Sequence, residues 1–261
     1  MSTLDALPGA WGNRARGRTP IPRDQLRLSV LMPVYNEEPT VVAMVETVRA
    51  VGLSIEIICV NDCSTDHSRE ILDRLKAEGK VDTVIHQPVN MGKGAAIRAA
   101  IKASTGNVVI VQDADLEYDP ADLSRIASRL GAGERVVYGS RIMGNNPHSY
   151  LRYYWGGRLL TGAFNLLYGT RLTDVTTCYK GFARDAILAA DLRSSRFEFC
   201  IEVTALMARR GERIVEIPIA YNPRSMSQGK KIRWHDGVRA LWMMIRLRVG
   251  AGGPSRAAVV G

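Results

Sequence analysis

Between residues 28 and 140 the chain alternates short, apolar, β-rich runs with segments of helical apolar spacing. No other feature narrows the fold as much. "LSVLMPVY" (28–35), "IEIICV" (55–60), "VDTVIHQ" (81–87), "NVVIVQD" (107–113) and "RVVYGS" (135–140) read as strands. "PTVVAMVETVRAVG" (39–52) reads as a helix with Pro39 in its first turn and Gly52 at its end. A second helix runs from a cap at Ser64 or Thr65 to about Gly79, a third over "KGAAIRAAIKAS" (93–104), and a fourth near 120–130. Strands and helices in this rhythm build parallel βαβ units with right-handed crossovers. The expected class is α/β, a mostly parallel sheet flanked by helices. Ligands of such sheets sit beyond the carboxyl ends of the strands. Here those ends are Tyr35–Glu38, Asn61–Asp66, Gln87–Lys93, Asp113–Glu117 and Ser140–Arg141, all polar or glycine-rich.

Two common nucleotide signatures are excluded. "PVYNEEP" stands where a GxGxxG turn would follow the first strand, and Gly92-Lys93-Gly94 lacks the hydroxyl of a Walker A loop. The glycines of "NMGKGAAI" allow backbone N–H groups to approach an anion at a helix N-terminus. They serve a tight strand-to-helix turn equally well. The stretch "QDADLEYDP" is more telling. Asp113, Asp115 and Glu117 alternate, so an extended backbone projects them to one side. Oxygen ligands without a nearby His or Cys suit Mg²⁺ or Mn²⁺ rather than zinc. The competing reading is a solvated acidic loop. Asp119 and Asp122 flank Pro120 and open the next helix, where carboxylates favour the N-terminus.

Past residue 150 the pattern changes. "YLRYYWGGRLLTGAFNLLYG" is a long amphipathic helix, "LTDVTTCYKGF" a strand or loop, and "FCIEVTALMARRG" a helix ending at Gly211. "RIVEIPIAY" (213–221) is a strand, and a helix covers 233–249. The net charge of +9 lies in the ends: five Arg against two acids in 1–27, and eleven Lys/Arg against three acids in 209–256. Such ends suit nucleic acid, an anionic membrane or a polyanionic substrate, but no nucleic-acid motif accompanies them. No apolar run approaches the length that spans a bilayer, and the first 27 residues lack the apolar core of a secretory signal. The expected location is cytoplasmic, and any membrane contact is expected to be peripheral, through the basic amphipathic helix 233–249, whose apolar stripe reads equally as a face docked on its own domain. The four cysteines form no CxxC pair and are expected to be free thiols.

"SVLMPVYNEE", "VNDCSTD", "NMGKGAA", "QDADLEYDP", "VYGSR" and "LTDVTTCYKGF" fall in one order and spacing. Together they resemble family 2 glycosyltransferases with the Rossmann-like GT-A fold, in particular the polyprenyl-phosphate (dolichol-phosphate) mannose or glucose synthases. The likeness covers about residues 28–235. The late "RSMSQGKKIRWHDG" resembles the Lys-rich acceptor loop of bacterial members. The resemblance implies a GT-A catalytic domain over 28–232, with a nucleotide-sugar half (28–141) and an acceptor half (142–232). A flexible basic arm (1–27) precedes it and a basic helix and tail (233–261) follow. By matching position it places Pro33, Tyr35 and Glu37 in the first nucleotide-binding turn, Asp62 on the base, and Lys93 near base or phosphate. Asp113 and Ala114 would lie along the donor, with Asp115, Glu117 and Asp113 as metal ligands. Arg141, Arg158 and Arg224 would hold the donor or acceptor phosphate. The loop after Arg224, "SMSQGKK", departs from the shorter Gly-Ser-Lys loop of many relatives, and its Lys230 and Lys231 read either as a further phosphate grip or as a solvated pair.

The implied reaction is an inverting transfer of a hexose from a GDP-mannose or UDP-glucose type of donor to a polyprenyl phosphate, assisted by Mg²⁺ or Mn²⁺. A cation neutralises the diphosphate leaving group as charge develops. A lipid phosphate is already an anionic nucleophile and needs no base. The alternative, a hydroxyl on a small molecule or saccharide, needs a carboxylate. Asp174 is the candidate, with Glu198 and Glu202 behind it and Arg141 as its catalytic companion.

Overall fold

The computed structural model describes residues 18–146, 151–224 and 234–249. Lys230, Lys231 and residues 1–17 lie outside them. The strands are β1 (Leu28–Val34), β2 (Ile55–Asn61), β3 (Thr83–His86), β4 (Val108–Val111), β5 (Val136–Ser140), β6 (Lys180–Ala183) and β7 (Ile214–Pro218). The helices are α1 (Val41–Arg49), α2 (Ser68–Ala77), α3 (Lys93–Ala103), α4 (Asp122–Gly131), α5 (Leu151–Tyr168), α6 (Arg184–Leu188), α7 (Phe199–Arg209) and α8 (Trp234–Val249). The sheet order is β3-β2-β1-β4-β6-β5-β7.

Side-chain alternation along β1 builds a core on each face of the sheet. Leu28, Val30, Met32 and Val34 meet α1 through Val41, Met44, Val45 and Val48, and α4 through Leu123, Ile126 and Leu130. Leu31 points the other way, to Ile97 and Ala100 of α3 and Val203 and Met207 of α7. A third cluster joins Phe164 of α5, Ile201 and Ala205 of α7, and Ala240 and Met244 of α8. The helix that closes the described chain is therefore docked on its own domain by one face.

β6 is the exception to parallel pairing. It lies antiparallel between β4 and β5. Its four residues, "KGFA", are too short to announce a direction in the sequence. Gly181 makes the insertion possible, because a Cβ there would stand 2.5 Å from Ile126 Cγ2 of α4.

Three boundaries differ from expectation. Pro39 precedes α1, which begins at Val41. Ser64 and Thr65 do not cap α2, which begins at Ser68. Instead the Asp66 carboxylate accepts from the Ser68 N–H, and Ser64 Oγ accepts from the Asn36 N–H. Residues 18–27 are not a loose arm: Arg18 donates to the Asn107 and Leu130 carbonyls, the Ile21 N–H donates to the Gly131 carbonyl, and Leu26 is buried.

Candidate active site

The carboxyl ends of β1, β2 and β4 converge, and each is followed by a left-handed residue: Asn36 (φ 52°), Cys63 (φ 58°) and Leu116 (φ 61°). No other described non-glycine residue has positive φ. Asn tolerates this region, whereas a bulky Leu adopts it only under strain that the surrounding structure enforces. Strain collected on one edge of the sheet marks where the backbone is shaped for something other than stability.

The strain at Leu116 also corrects the expected geometry of the acids. β4 ends at Val111, and residues 113–117 turn rather than extend, so the alternation does not project three carboxylates to one side. Each acid is held differently. Asp113 lies 2.6 Å from Lys93 Nζ. Asp115 accepts the Glu117 N–H at 3.1 Å. Glu117 accepts from Tyr221 Oη at 2.7 Å and from the Arg224 N–H at 2.8 Å. Burial, then the charges of Asp113 and Glu117, push the Asp115 carboxyl up to about 7. Among the described residues no three His, Cys, Asp or Glu side chains form a metal-sized cluster.

The cations follow the same rule. Burial opposes the charge on Lys93, but Asp113 and the Cys178 and Cys200 sulfurs together raise its pKa. Arg224 donates to Glu37 at 2.9 Å, to the Thr40 hydroxyl, and to the Asp115 carbonyl at 2.8 Å. Arg141 donates bidentately to Asp174 at 2.7 and 2.8 Å, adds a bond to Thr176, and rests 5.2 Å from the Tyr221 ring. Three of the expected cations are thus matched one-to-one with three of the expected acids. Asp115 is the expected acid left facing like charges.

The pairing bears most directly on Asp174. Asp174 is 2% exposed. Burial raises its pKa, but Arg141 more than compensates and the net shift is downward. A carboxylate saturated by a guanidinium, the Arg141 N–H and the Thr176 hydroxyl is a poor proton acceptor. Asp174 holds the Arg141 guanidinium in place. Glu202 is likewise occupied, accepting the Arg193 and Ser194 N–H groups. Glu198 differs from both, since its Oε2 is buried without a hydrogen-bond partner.

The glycine-rich loop also has an answer. Its N–H groups do bind an anion, and the anion is Asp62, which accepts from Met91 and Gly92 at 2.7 and 2.8 Å. Burial raises the Asp62 carboxyl despite those bonds. Gly92 (φ 91°) and Gly94 are required by the segment 194–196, since Cβ atoms there would stand 2.4 Å from the Ser195 carbonyl oxygen and 2.6 Å from that of Ser194. Pro33 lies in β1, Tyr35 is half-buried just after it, and Ala114 is buried. Arg158 is exposed on α5, beside Trp155 and Leu159.

The sequence reading missed Tyr221, Thr176 and Glu216. Glu216 accepts the Thr173 and Asp174 N–H groups at 2.7 and 3.0 Å and so positions the Arg141 partner. Only Tyr221, closing the "RIVEIPIAY" run at a strand's carboxyl end, carried a legible signal. Lys180 was also missed: it is fully buried, donates to the Val175 carbonyl and lies 3.6 Å from the centre of the Tyr138 ring.

The Glycosyl transferase family 2 model matches residues 29–188, more than half of the chain. The chain belongs to this family. It is a glycosyltransferase with a GT-A fold. It is 27% identical to an undecaprenyl-phosphate mannosyltransferase of Micrococcus luteus, over 86% of this chain and 100% of that one. It is 28% identical to a polyprenol monophosphomannose synthase of Mycolicibacterium smegmatis, over 84% of this chain and 87% of that one. A glucosyl-3-phosphoglycerate synthase of Mycobacterium tuberculosis, solved with Mn²⁺, UDP and glucosyl-3-phosphoglycerate, superposes with a TM-score of 0.67 at 17% identity, over 89% of this chain and 83% of that one. The last likeness concerns the fold alone. In this glycosyltransferase no described helix is long and apolar enough to cross a membrane.

Proposed function

We propose that this glycosyltransferase moves a hexose from a nucleotide-sugar to a polyprenyl phosphate, with inversion and with Mg²⁺ or Mn²⁺ at Asp115. The observation that carries the reading is the charge pattern of the carboxyl edge. Lys93, Arg141 and Arg224 are neutralised within the protein, and Asp115 is left among like charges. A hard divalent cation fits an all-oxygen position of this kind and takes its remaining ligands from water and phosphate. Asp115 would hold it first, with Glu117, itself fixed by Tyr221 and the Arg224 N–H, as a further oxygen ligand. The ion would supply charge neutralisation for the departing diphosphate.

Arg141, fixed by Asp174 and Glu216, presents its remaining guanidinium surface as a phosphate clamp. Lys93 and Asp113 line the donor, beside the loop that Asp62 organises. The absence of a free base at Asp174 favours an acceptor whose oxygen is already anionic. The relatives named for undecaprenyl and polyprenol phosphates support the same acceptor class. So do two helices with exposed apolar stripes: Trp155, Leu159 and Leu166 on α5, and Val238, Leu241, Trp242, Ile245 and Val249 on α8, with Arg239 and Arg246 alongside. We read these stripes as a peripheral surface for an anionic bilayer.

The deciding experiment mixes purified protein, Mn²⁺, GDP-mannose or UDP-glucose, and polyprenyl phosphate in mixed micelles. A glycolipid product supports the proposal. Transfer to soluble hydroxyl acceptors with polyprenyl phosphate ignored would sink the lipid assignment. In that case Glu198, with its unpaired buried oxygen, becomes the base to test.

A further inference from the structure

Cys178 and Cys200 lie on separate segments that the fold brings side by side. Cys178 precedes β6, and Cys200 sits in the first turn of α7. Their sulfurs are 3.6 Å apart. A disulfide needs about 2.05 Å between sulfurs, so a closure of roughly 1.5 Å separates the thiol pair from a bond. The two thiols are matched for the chemistry. The helix N-terminus favours an anion at Cys200. The contact with Cys178, together with Lys180 and Lys93, lowers the Cys200 thiol below its ordinary value against the opposing effect of burial. Cys178 is only partly buried, and Cys200 is buried beside it.

The other two cysteines offer no such arrangement. Cys59 is buried against Met32, and burial pushes its thiol up to about 12. Cys63 is half-exposed and faces the Pro88 carbonyl.

We propose that Cys178 and Cys200 form an oxidisable dithiol that closes to a disulfide under hydrogen peroxide, fastening the segment that carries Asp174 to the first turn of α7. The Cys200 thiolate attacks one peroxide oxygen, and the O–O bond breaks to leave a Cys200 sulfenic acid and hydroxide. The Cys178 sulfur then displaces hydroxide from the Cys200 sulfur, and its proton leaves in water. Two thiols are oxidised, one peroxide is reduced to water, and dithiothreitol reverses the bond. The link spans both flanks of the candidate active site. Residues 174–176 hold Arg141, and the segment leading into α7 covers Gly92, Gly94 and Lys93.

The test treats the reduced full-length chain with equimolar hydrogen peroxide at neutral pH, then alkylates it in denaturant with N-ethylmaleimide and maps peptides by mass spectrometry. The expected result is a Cys178–Cys200 linked peptide within one chain, two of the four cysteines still alkylated, a melting temperature raised by several degrees, and full reversal by dithiothreitol. Cys178→Ser should abolish the link and leave Cys200 to oxidise further. Cys200→Ser gives the reciprocal control, and Cys178→Ser alone suffices if that variant does not fold. Peroxide consumed at Cys63 with Cys178 and Cys200 both still alkylated would overturn the proposal, as would links only between chains.

Discussion

At the scale of single residues, the chemistry of this glycosyltransferase turns on which charges are left over after the protein has paired the rest. Asp115 is the clearest case, and replacing it by Asn removes the anionic oxygen without changing shape. We expect Asp115→Asn to lower metal-dependent sugar transfer by about a hundredfold or more, as measured by product formation across a Mn²⁺ titration. Glu117→Gln keeps an oxygen for Tyr221 or the Arg224 N–H and should cost about tenfold. Equal losses in both variants would give Glu117 a share equal to that of Asp115. Lys180 offers a test by pH. Burial lowers its pKa from 10.5 to about 8, so between those values the unfolded chain binds more protons than the folded one. Its contribution to stability therefore rises with pH across that window, and its cost, about 3 kcal/mol, is fully present below it. The stability of Lys180→Met relative to the parent should be highest near pH 7 and fall by pH 10 in urea unfolding. A difference independent of pH would show that Lys180 folds without losing proton affinity.

At the scale of elements, α8 performs two tasks with two faces. Ala240 and Met244 dock it on α5 and α7, while Val238, Leu241, Trp242 and Ile245 remain exposed with Arg239 and Arg246. Each basic side chain near an anionic surface contributes about 1 kcal/mol. The double variant Arg239→Glu/Arg246→Glu should thus lose co-sedimentation with phosphatidylglycerol vesicles at low salt. Its melting temperature should stay near that of the parent, because both positions are exposed. Retained vesicle binding would remove α8 from the membrane reading. The helical period was visible in the sequence, but which face docks was not, since an apolar stripe reads alike against protein and lipid.

At the scale of the whole molecule, Arg224 ties distant parts of the chain together. It reaches from the end of the last β-segment to Glu37 after β1 and to the Asp115 carbonyl after β4. Both Arg224 and Glu37 are largely buried, with side-chain exposures of 17% and 8%. Arg224→Met removes the guanidinium paired with Glu37 and its bond to the Asp115 carbonyl, and we expect a loss of about 3 kcal/mol in urea unfolding. A change under about 0.5 kcal/mol would mark the pair as a surface contact.

Strand identity, helix period and the polar ends of β1, β2, β4 and β5 were legible residue by residue, because alternation and helical spacing are properties of neighbours in the chain. The motifs then pointed to the right family and fold. Pairing was not legible. Nothing local to "GSR" says that Arg141 is held by Asp174, or to "NMGKG" that the anion in its loop is Asp62 and that its glycines make room for residues 194–196. Nor does "KGFA" announce an antiparallel strand. Such matters depend on distances between residues far apart in sequence. The sequence by itself determined which groups gather at the carboxyl edge of the sheet. Which of those charges cancel one another was settled by the folded chain alone, because charges separated by 33 or 187 positions meet only after folding.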